Sequence, residues 1–424
     1  MVYLGLLIMI IILFFSFLLN RNFVSPVFIF SGLFSLIISL ALLKLNDIRQ
    51  FTDTAVYSIE LGVLFFTLGA ILVRVIFDSS KSKKELIMEK NLVIDWRWTK
   101  LLLVLVTVGT IITVFNVINL LMSGGDYYQV RSSLLGYNES DSLINNSILN
   151  GLVYYVAGPG LYALTPLAIY FFAIKRHKYF CVLVFLNIIL NSFATGGRIT
   201  FVYVIIQFLA TMSFVNIKLS KKTKRVLLCL IVMSLIFIGI ISNARSNRSI
   251  VEIFYAYFSG PVVLLSEWQK VVDNSNIWTY GLSFLYPFSY IVNTISNLLG
   301  IKFDLLSNVV SLQGNPQEVW INVFPNMPMN AFVTMFYFFY QDLRFIGIII
   351  YSTLYGAFCN YIYCKAYMKR NVKYFIIYLL VIKSVFGAFM IWQLGSTSFF
   401  VSFVMLLLCL KHSKATKGSR LNDY

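Results

Sequence analysis

Long apolar runs separated by short polar loops extend along nearly the whole chain. Many of these runs exceed the roughly 18 residues that an α-helix needs to cross the hydrocarbon core of a bilayer. We therefore predict an all-α, polytopic integral membrane protein with about eleven transmembrane helices. The predicted spans are residues 2–20, 23–43, 54–77, 100–121, 151–174, 178–196, 198–216, 225–242, 343–366, 371–389 and 395–411. An even count, with a further short span or re-entrant segment around residues 329–342, is the alternative.

Basic residues fall in every second loop from the third predicted span onward. They cluster at residues 81–97, 175–178, 218–225 and 365–373 and in the tail from residue 411. The positive-inside rule assigns such loops to the cytoplasm, which places the N-terminus outside and the C-terminus inside. The formal net charge of +17 would suggest nucleic acid for a soluble protein. Basic loops between apolar spans point to anionic membrane lipid instead, so we expect no nucleic-acid partner.

The composition agrees with a membrane protein, because 59% of the residues are hydrophobic and only 12% are charged. All five cysteines lie within apolar runs, so neither a disulfide framework nor a zinc site is expected. Residues 1–20 lack a basic n-region and a small-residue cleavage site, and we predict a retained helix rather than a signal peptide. The chain shows no internal repeat, and residues 1–424 are predicted to form a single transmembrane domain.

Two connections on the outer side are long enough to carry structure of their own. Residues 122–150 contain Asp126, Glu139 and Asp141 with a single arginine, Arg131. Residues 243–342 form by far the longest connection, and a structureless loop of that length is improbable in a compact protein. We therefore predict helices within it, and its many tyrosines and tryptophans indicate segments at the membrane interface.

Few cations lie on the outer side, against the positive-inside bias, and several of them are arginines. If a helix continues beyond residue 242, Arg245, Arg248 and Glu252 fall on one face of it. Guanidinium groups form paired, charge-assisted hydrogen bonds with phosphate oxygens, so we predict a diphosphate-binding clamp. The alternative is that each arginine reaches lipid phosphate or pairs with a nearby carboxylate. The candidate diphosphate-binding residues are Arg131, Arg198, Arg245, Arg248 and Arg344.

The candidate general bases on the outer side are carboxylates, namely Asp126, Glu252, Glu267 and Asp342. Both histidines, His177 and His412, fall in cytoplasmic basic clusters, so no nucleophilic triad is predicted. No phosphate-binding loop or dinucleotide fingerprint is present. Glu60 and Lys383 lie within predicted spans, where a charge often marks a functional site, although each could also extend to the outer interface.

The chain resembles the Wzy-type O-antigen polymerases, which are oligosaccharide repeat-unit polymerases. The resemblance lies in the architecture of the chain, which has many predicted spans, basic inner loops and one long outer loop in its second half. Its local motifs are Ser123–Tyr128 with Arg131, Gly196-Gly197-Arg198, Arg245–Pro261, Asn330–Thr334 and Tyr340–Gly347.

The resemblance implies a fold like that of the GT-C glycosyltransferases and an active site at the periplasmic face of the bacterial inner membrane. The implied reaction transfers a growing glycan from undecaprenyl diphosphate to the non-reducing end of a lipid-linked repeat unit. It implies no metal or other cofactor, and its partners would be the lipid-linked oligosaccharide, a chain-length regulator and a flippase. Family arginines that hold diphosphate correspond here to Arg198, Arg245 and Arg248.

A diphosphate leaving group needs charge stabilisation more than a proton donor, which arginines can supply. Our hypothesis is that Glu252 or Asp342 takes the proton from the acceptor hydroxyl. Three alternatives remain: a lipid-linked oligosaccharide flippase or transporter, a metal-dependent GT-C transferase using Asp47 or Asp53, and an O-antigen ligase. Such ligases use an outer-loop histidine, which this chain lacks.

Overall fold

The computed structural model describes residues 2–20, 22–79, 93–125, 129–130, 133, 143–144, 146–197, 199–215, 249–325 and 327–411. Most of these residues are helical. The helices are α1 (Val2–Asn20), α2 (Pro26–Leu42), α3 (Asp53–Ser79), α4 (Trp96–Met122), α5 (Ser147–Leu152), α6 (Gly158–Ala173), α7 (Lys178–Thr195), α8 (Ile199–Val215), α9 (Ile250–Ser275), α10 (Tyr286–Leu298), α11 (Asp304–Glu318), α12 (Thr334–Tyr363), α13 (Val372–Gly387) and α14 (Thr397–Cys409). A π-helical turn, Val153–Ala157, joins α5 to α6, and another, Cys364–Met368, follows α12.

Two short antiparallel ladders qualify the all-α prediction. Strand β1 (Val93–Ile94) pairs with β4 (Leu410–Lys411), and β2 (Ile321–Phe324) pairs with β3 (Met327–Met329). Strands β1, β2 and β3 lie in connections between helices and β4 directly follows α14, so the described membrane part of the fold is helical as predicted.

The predicted spans coincide with helices wherever the structure describes them, and the predicted span at 225–242 lies outside the described residues. Within the described ranges, five helices are long and apolar enough to cross a membrane by length and composition. Four shorter apolar helices accompany them in the same ranges. The chain is therefore a multi-pass membrane protein.

One predicted boundary was wrong. The span predicted at 343–366 begins earlier, at Thr334, and α12 is broken at Leu343 and Arg344, which have non-helical backbone angles. The polar residues Gln341 and Asp342 had suggested a solvated loop, but every residue from 334 to 342 is buried. This short buried segment lies where the sequence allowed a re-entrant piece.

The basic connections meet at one end of the helical bundle, here called the basic face. The β1–β4 ladder joins the segment before α4 to the end of α14. The Trp96 ring lies 4.3 Å from the His177 ring, which places the α6–α7 turn there as well. Arg370 donates to the carbonyl of Phe214 at 2.7 Å, so the α12–α13 connection joins the same end.

The other end, here called the opposite face, is built by the α2–α3 connection and the segment from α9 to β3. The Tyr255 hydroxyl accepts from the Leu45 N–H at 2.9 Å, and the Arg49 N–H donates to Val323 at 2.9 Å. Helix α9 therefore lies across the ends of α2 and α3. The long connection carries helices, as the sequence predicted.

Helices α3 and α12 form the tightest pair of the bundle. At Gly69 an added Cβ would overlap the carbonyl of Thr353, and at Gly356 it would overlap the carbonyl of Phe66. Small residues let membrane helices approach closely where no hydrophobic effect drives their association. This contact holds α12, and therefore the break at Arg344, in a fixed place.

Candidate functional site

Of the candidate bases and diphosphate-binding residues, the structure describes Glu252, Glu267, Asp342 and Arg344. The others, Arg131, Arg198, Arg245 and Arg248, lie outside the described residues, as does Asp126. Their assignment therefore stays a prediction from the sequence.

Glu252 lies in the first turn of α9, on the opposite face. Ser249 caps this helix, because its hydroxyl accepts from the Glu252 N–H at 3.2 Å. A carboxylate in the first turn also interacts favourably with the positive end of the helix dipole. The side chain is exposed, so a substrate hydroxyl can reach it.

The structure describes the start of α9 from Ser249 onward. Ser249 has extended backbone angles (φ −63°, ψ 148°), and α9 begins at Ile250. An N-cap residue is non-helical by nature. Arg245 and Arg248, the other two members of the predicted i, i+3, i+7 spacing, lie outside the described residues.

A cleft of about 210 Å³ opens beside Glu252, lined by Asn46, Asp47, Phe324, Pro325 and Met327. Its floor comes from the α2–α3 connection, where Asn46 and Asp47 have left-handed backbone angles (φ 57° and 52°). Asn and Asp tolerate this conformation better than other residues with a Cβ. The turn thus presents an amide and a second carboxylate toward the cleft.

Asp342 is fully buried at the break in α12. Its Oδ1 accepts from the Thr279 hydroxyl at 2.5 Å and from the Ser283 N–H at 3.0 Å, and its Oδ2 accepts from the Phe284 N–H at 2.9 Å. A general base must come within hydrogen-bonding distance of the proton that it removes. Asp342 instead directs both oxygens at the α9–α10 connection, so this geometry favours a positioning role.

Arg344, on the other side of the break, is bound to the end of α9. It donates to the carbonyls of Val272 at 3.0 Å and Ile277 at 3.3 Å, and its Nε lies 3.3 Å from Asp273 Oδ1. Its guanidinium carbon lies 4.8 Å from the centre of the Trp278 ring. With 15% of its side chain exposed, Arg344 has little free surface for a diphosphate.

The break itself is strained and its polar groups are satisfied. Arg344 has a φ of 55°, a region that costs a residue with a Cβ of order 1–3 kcal/mol. The carbonyl of Gln341 accepts from the Thr279 N–H at 3.2 Å, and that of Asp342 from the Tyr280 N–H at 3.4 Å. The α9–α10 connection therefore completes the hydrogen bonds that the helix loses.

An aromatic cluster supports the same connection. The Phe284 ring stacks on Tyr351, with centroids 4.4 Å apart, and on Trp392, with centroids 5.2 Å apart. The Trp392 indole N–H donates to the Phe284 carbonyl at 3.0 Å. Phe284 and Trp392 were not predicted as partners, because nothing in their spacing along the sequence shows that the two segments meet.

The two candidate carboxylates are far apart. Arg344 contacts the α9 carbonyl of Val272, twenty residues after Glu252 on the same helix. At a rise of about 1.5 Å per residue, that spacing corresponds to about 30 Å. Glu252 and Asp342 therefore cannot act on the same hydroxyl.

Glu267, another candidate base, is engaged in ion pairs. Its carboxylate oxygens lie 2.7 Å from Arg49 Nη2 and 2.7 Å from Lys270 Nζ. The contact with Arg49 joins α9 to the α2–α3 connection, whereas Lys270 lies on α9 itself. Glu267 is therefore a useful comparison for Glu252 on the same helix.

The two charges within predicted spans differ in their surroundings. Glu60 packs against Gly5 of α1, where an added Cβ would overlap its carboxylate. Lys383 is only 4% exposed and lies among α6, α8 and α13. It does not extend to the interface, which the sequence analysis had allowed.

Comparison with protein-family models gives one match. The model of the O-antigen polysaccharide polymerase Wzy family matches residues 1–305. The chain belongs to this family. Comparison with curated proteins and with solved structures gave no match.

Membership of the Wzy family supports an O-antigen polymerase role and implies a lipid-linked oligosaccharide substrate. The matched range includes Glu252 and, from its cleft, Asn46 and Asp47, and it ends in α11, before Phe324, Pro325 and Met327. The break in α12 and Lys383 lie beyond it, so their roles rest on the geometry described above.

Proposed function

We propose that this protein extends O-antigen at the periplasmic face of the bacterial inner membrane. It transfers the growing glycan from undecaprenyl diphosphate to the non-reducing end of a lipid-linked repeat unit. The observation that carries this proposal is the Wzy-family match over residues 1–305. The exposed carboxylate beside a cleft on the opposite face supports it.

Glu252 is the general base in this proposal. Its cleft of about 210 Å³ is compatible with one sugar ring, and the Asn46 amide and Asp47 carboxylate offer hydrogen bonds to further hydroxyls. Glu252 accepts the proton of the acceptor hydroxyl as that oxygen bonds to the anomeric carbon of the donor. The bond from that carbon to the diphosphate breaks, and the electron pair leaves with the diphosphate.

Arginines stabilise the departing diphosphate. The sequence offers Arg131, Arg198, Arg245 and Arg248 for this task. Preorganised charges in a region of low dielectric stabilise developing negative charge more than water does. Asp342 and Arg344 act as positioning residues, because their contacts fix the connection from Val272 to Phe284.

Deletion and complementation in an O-antigen-producing strain test the proposal. Deletion of the gene should leave lipid A core bearing one repeat unit, and the intact gene should restore the long-chain ladder. Core without any repeat unit after deletion would contradict a polymerase and indicate a ligase or a flippase.

A further inference from the structure

The connection that follows α9 carries no charge over a long stretch. Between Asp273 and Lys302 the sequence contains no aspartate, glutamate, lysine, arginine or histidine. This stretch includes the whole of α10 (Tyr286–Leu298). Charged residues are the ones most often found at a water-facing protein surface. A long uncharged stretch therefore indicates that much of this connection does not face water.

Helix α10 is amphipathic, but its polarity is the reverse of that of a helix on a water-facing surface. Its polar residues Ser289, Asn293 and Ser296 are buried. The large apolar residues on its exposed side are Phe288, Ile291, Val292, Ile295 and Leu298. A surface helix in water turns its apolar stripe to the core and its polar side to the solvent. The reversed pattern indicates that hydrocarbon lies outside α10.

The hydroxyl groups of α10 also suit surroundings without water. The serine and threonine hydroxyls of this helix all donate to carbonyls of the same segment at 2.8–2.9 Å, namely Ser289 to Leu282, Thr294 to Tyr290 and Ser296 to Val292. In hydrocarbon, polar groups have to be satisfied within the protein. The exposed Asn297 lies in the last turn of the helix, close in sequence to Lys302.

Helix α12 and the turn after it give a scale for depth in the bilayer. Arg344 lies at the opposite face, and Lys365 follows α12 at the basic face. The twenty-one residues from one to the other correspond to about 31 Å of helix. The hydrocarbon core of a bilayer is about 30 Å thick, so these two cations mark its boundaries. Tyr351, seven residues after Arg344, lies about 10 Å inside the boundary at the opposite face.

Ring contacts place the start of α10 at a similar depth. The Phe284 ring stacks on Tyr351 with centroids 4.4 Å apart, and the Phe288 ring lies 5.1 Å from that of Phe400 in α14. Helix α14 has 13 residues and ends at the basic face. Its length of about 20 Å does not cross the hydrocarbon core, so Phe400 also lies inside the boundary. The start of α10 is therefore within the bilayer.

We propose that residues 277–301 form a re-entrant segment, which enters the leaflet at the opposite face and returns at Lys302 without crossing the bilayer. The exposed side of α10 contacts the acyl chains of that leaflet. Leu298 and Leu299 at the end of the helix, 82% and 69% exposed, are covered by lipid. The Lys302 ammonium extends to the head groups. This inference goes beyond the proposed function and does not depend on it.

Spin labels at two matched positions test the inference in the full-length protein, reconstituted in phosphatidylglycerol and phosphatidylethanolamine liposomes. Ile295→Cys lies in α10, and Val319→Cys directly follows α11, beside the exposed Glu318. The two native side chains are both β-branched and are 52% and 47% exposed. Labelled wild-type protein gives the background from the native cysteines. Power saturation measures collisions with oxygen, which dissolves in hydrocarbon, and with a neutral nickel chelate, which stays in water.

The ratio of oxygen to nickel collisions at residue 295 should exceed that at residue 319 at least about tenfold, because hydrocarbon excludes a polar solute. Frequent nickel collisions at residue 295 would show water outside α10 and overturn the inference. Few collisions with either reagent there would show that protein covers this side, as in contact with a second copy, and would also overturn it. Ile291→Cys, on the same side of α10, repeats the measurement if Ile295→Cys does not fold.

Discussion

Asp342 and Arg344, two residues apart on either side of the break in α12, bind the two ends of one connection. Asp342 accepts from Ser283 and Phe284 at 3.0 and 2.9 Å, at the start of α10, and Arg344 donates to Val272 at 3.0 Å, near the end of α9. The break therefore fixes the path from α9 to α10. This arrangement explains why a strained backbone is retained at Arg344.

Asp342→Ala should destabilise the protein. It leaves the N–H groups of Ser283 and Phe284 and the Thr279 hydroxyl without their acceptor, at a cost of about 3 kcal/mol. Unfolding in mixed SDS micelles measures the change. Asp304→Ala, an exposed aspartate in the first turn of α11, should cost less than about 1 kcal/mol. An equally small effect of both substitutions would contradict the positioning role of Asp342.

Arg344→Lys separates the positioning role from diphosphate binding. Lysine cannot reproduce the forked contacts to Val272 and Ile277, so the free energy of unfolding should fall by about 1–2 kcal/mol. Amide exchange in residues 276–284 should accelerate. The comparison variant is Arg49→Lys, whose half-exposed ion pair with Glu267 should contribute about 0–1 kcal/mol.

A different result would support the prediction that Arg344 belongs to the diphosphate clamp. If Arg344→Lys makes shorter glycan while its stability and amide exchange stay unchanged, Arg344 contacts the diphosphate directly.

Gly347→Ala should disturb the break directly. An added Cβ there would overlap the carbonyl of Phe339, and overpacking of this kind costs about 1–3 kcal/mol. Gly151→Ala is the control, because nothing lies within 4 Å of its added Cβ. If the thermal midpoint of Gly347→Ala equals that of Gly151→Ala, the Phe339 carbonyl does not lie so close to Gly347.

The sequence predicted the helices well because the bilayer imposes a minimum length of apolar chain. It could not predict the break in α12, since Gln341, Asp342 and Arg344 look like the polar edge of a loop. Their burial depends on partners in a distant part of the chain, namely the end of α9 and the α9–α10 connection. Likewise, the sequence did not show that α9 begins at Ile250, because the single N-cap Ser249 is a weak signal.

The sequence offered candidate residues for the site but not their arrangement. Glu252 and Asp342 were equivalent in the sequence, yet one is exposed beside a cleft and the other is fully buried. The surroundings of Lys383 depend on which face of α13 meets α6 and α8. Helix periodicity gives that face only when the partner helices are known.

Glu252→Gln tests the assignment of the base. The amide keeps the size of the side chain but accepts no proton, so the transfer rate should fall by about 10²–10⁴-fold. The thermal midpoint should not change, because the side chain is exposed. Glu267→Gln, on the same helix, should keep most of the activity. Equal rates for Glu252→Gln and the wild type would remove Glu252 from the mechanism.

The most direct measurement is the reaction of the purified protein with undecaprenyl-diphosphate-linked repeat units in detergent. We predict lipid-linked glycans of two, three and more repeat units, with one undecaprenyl diphosphate released for each linkage formed. Substrate recovered unchanged, or glycan growth without release of undecaprenyl diphosphate, would contradict this prediction.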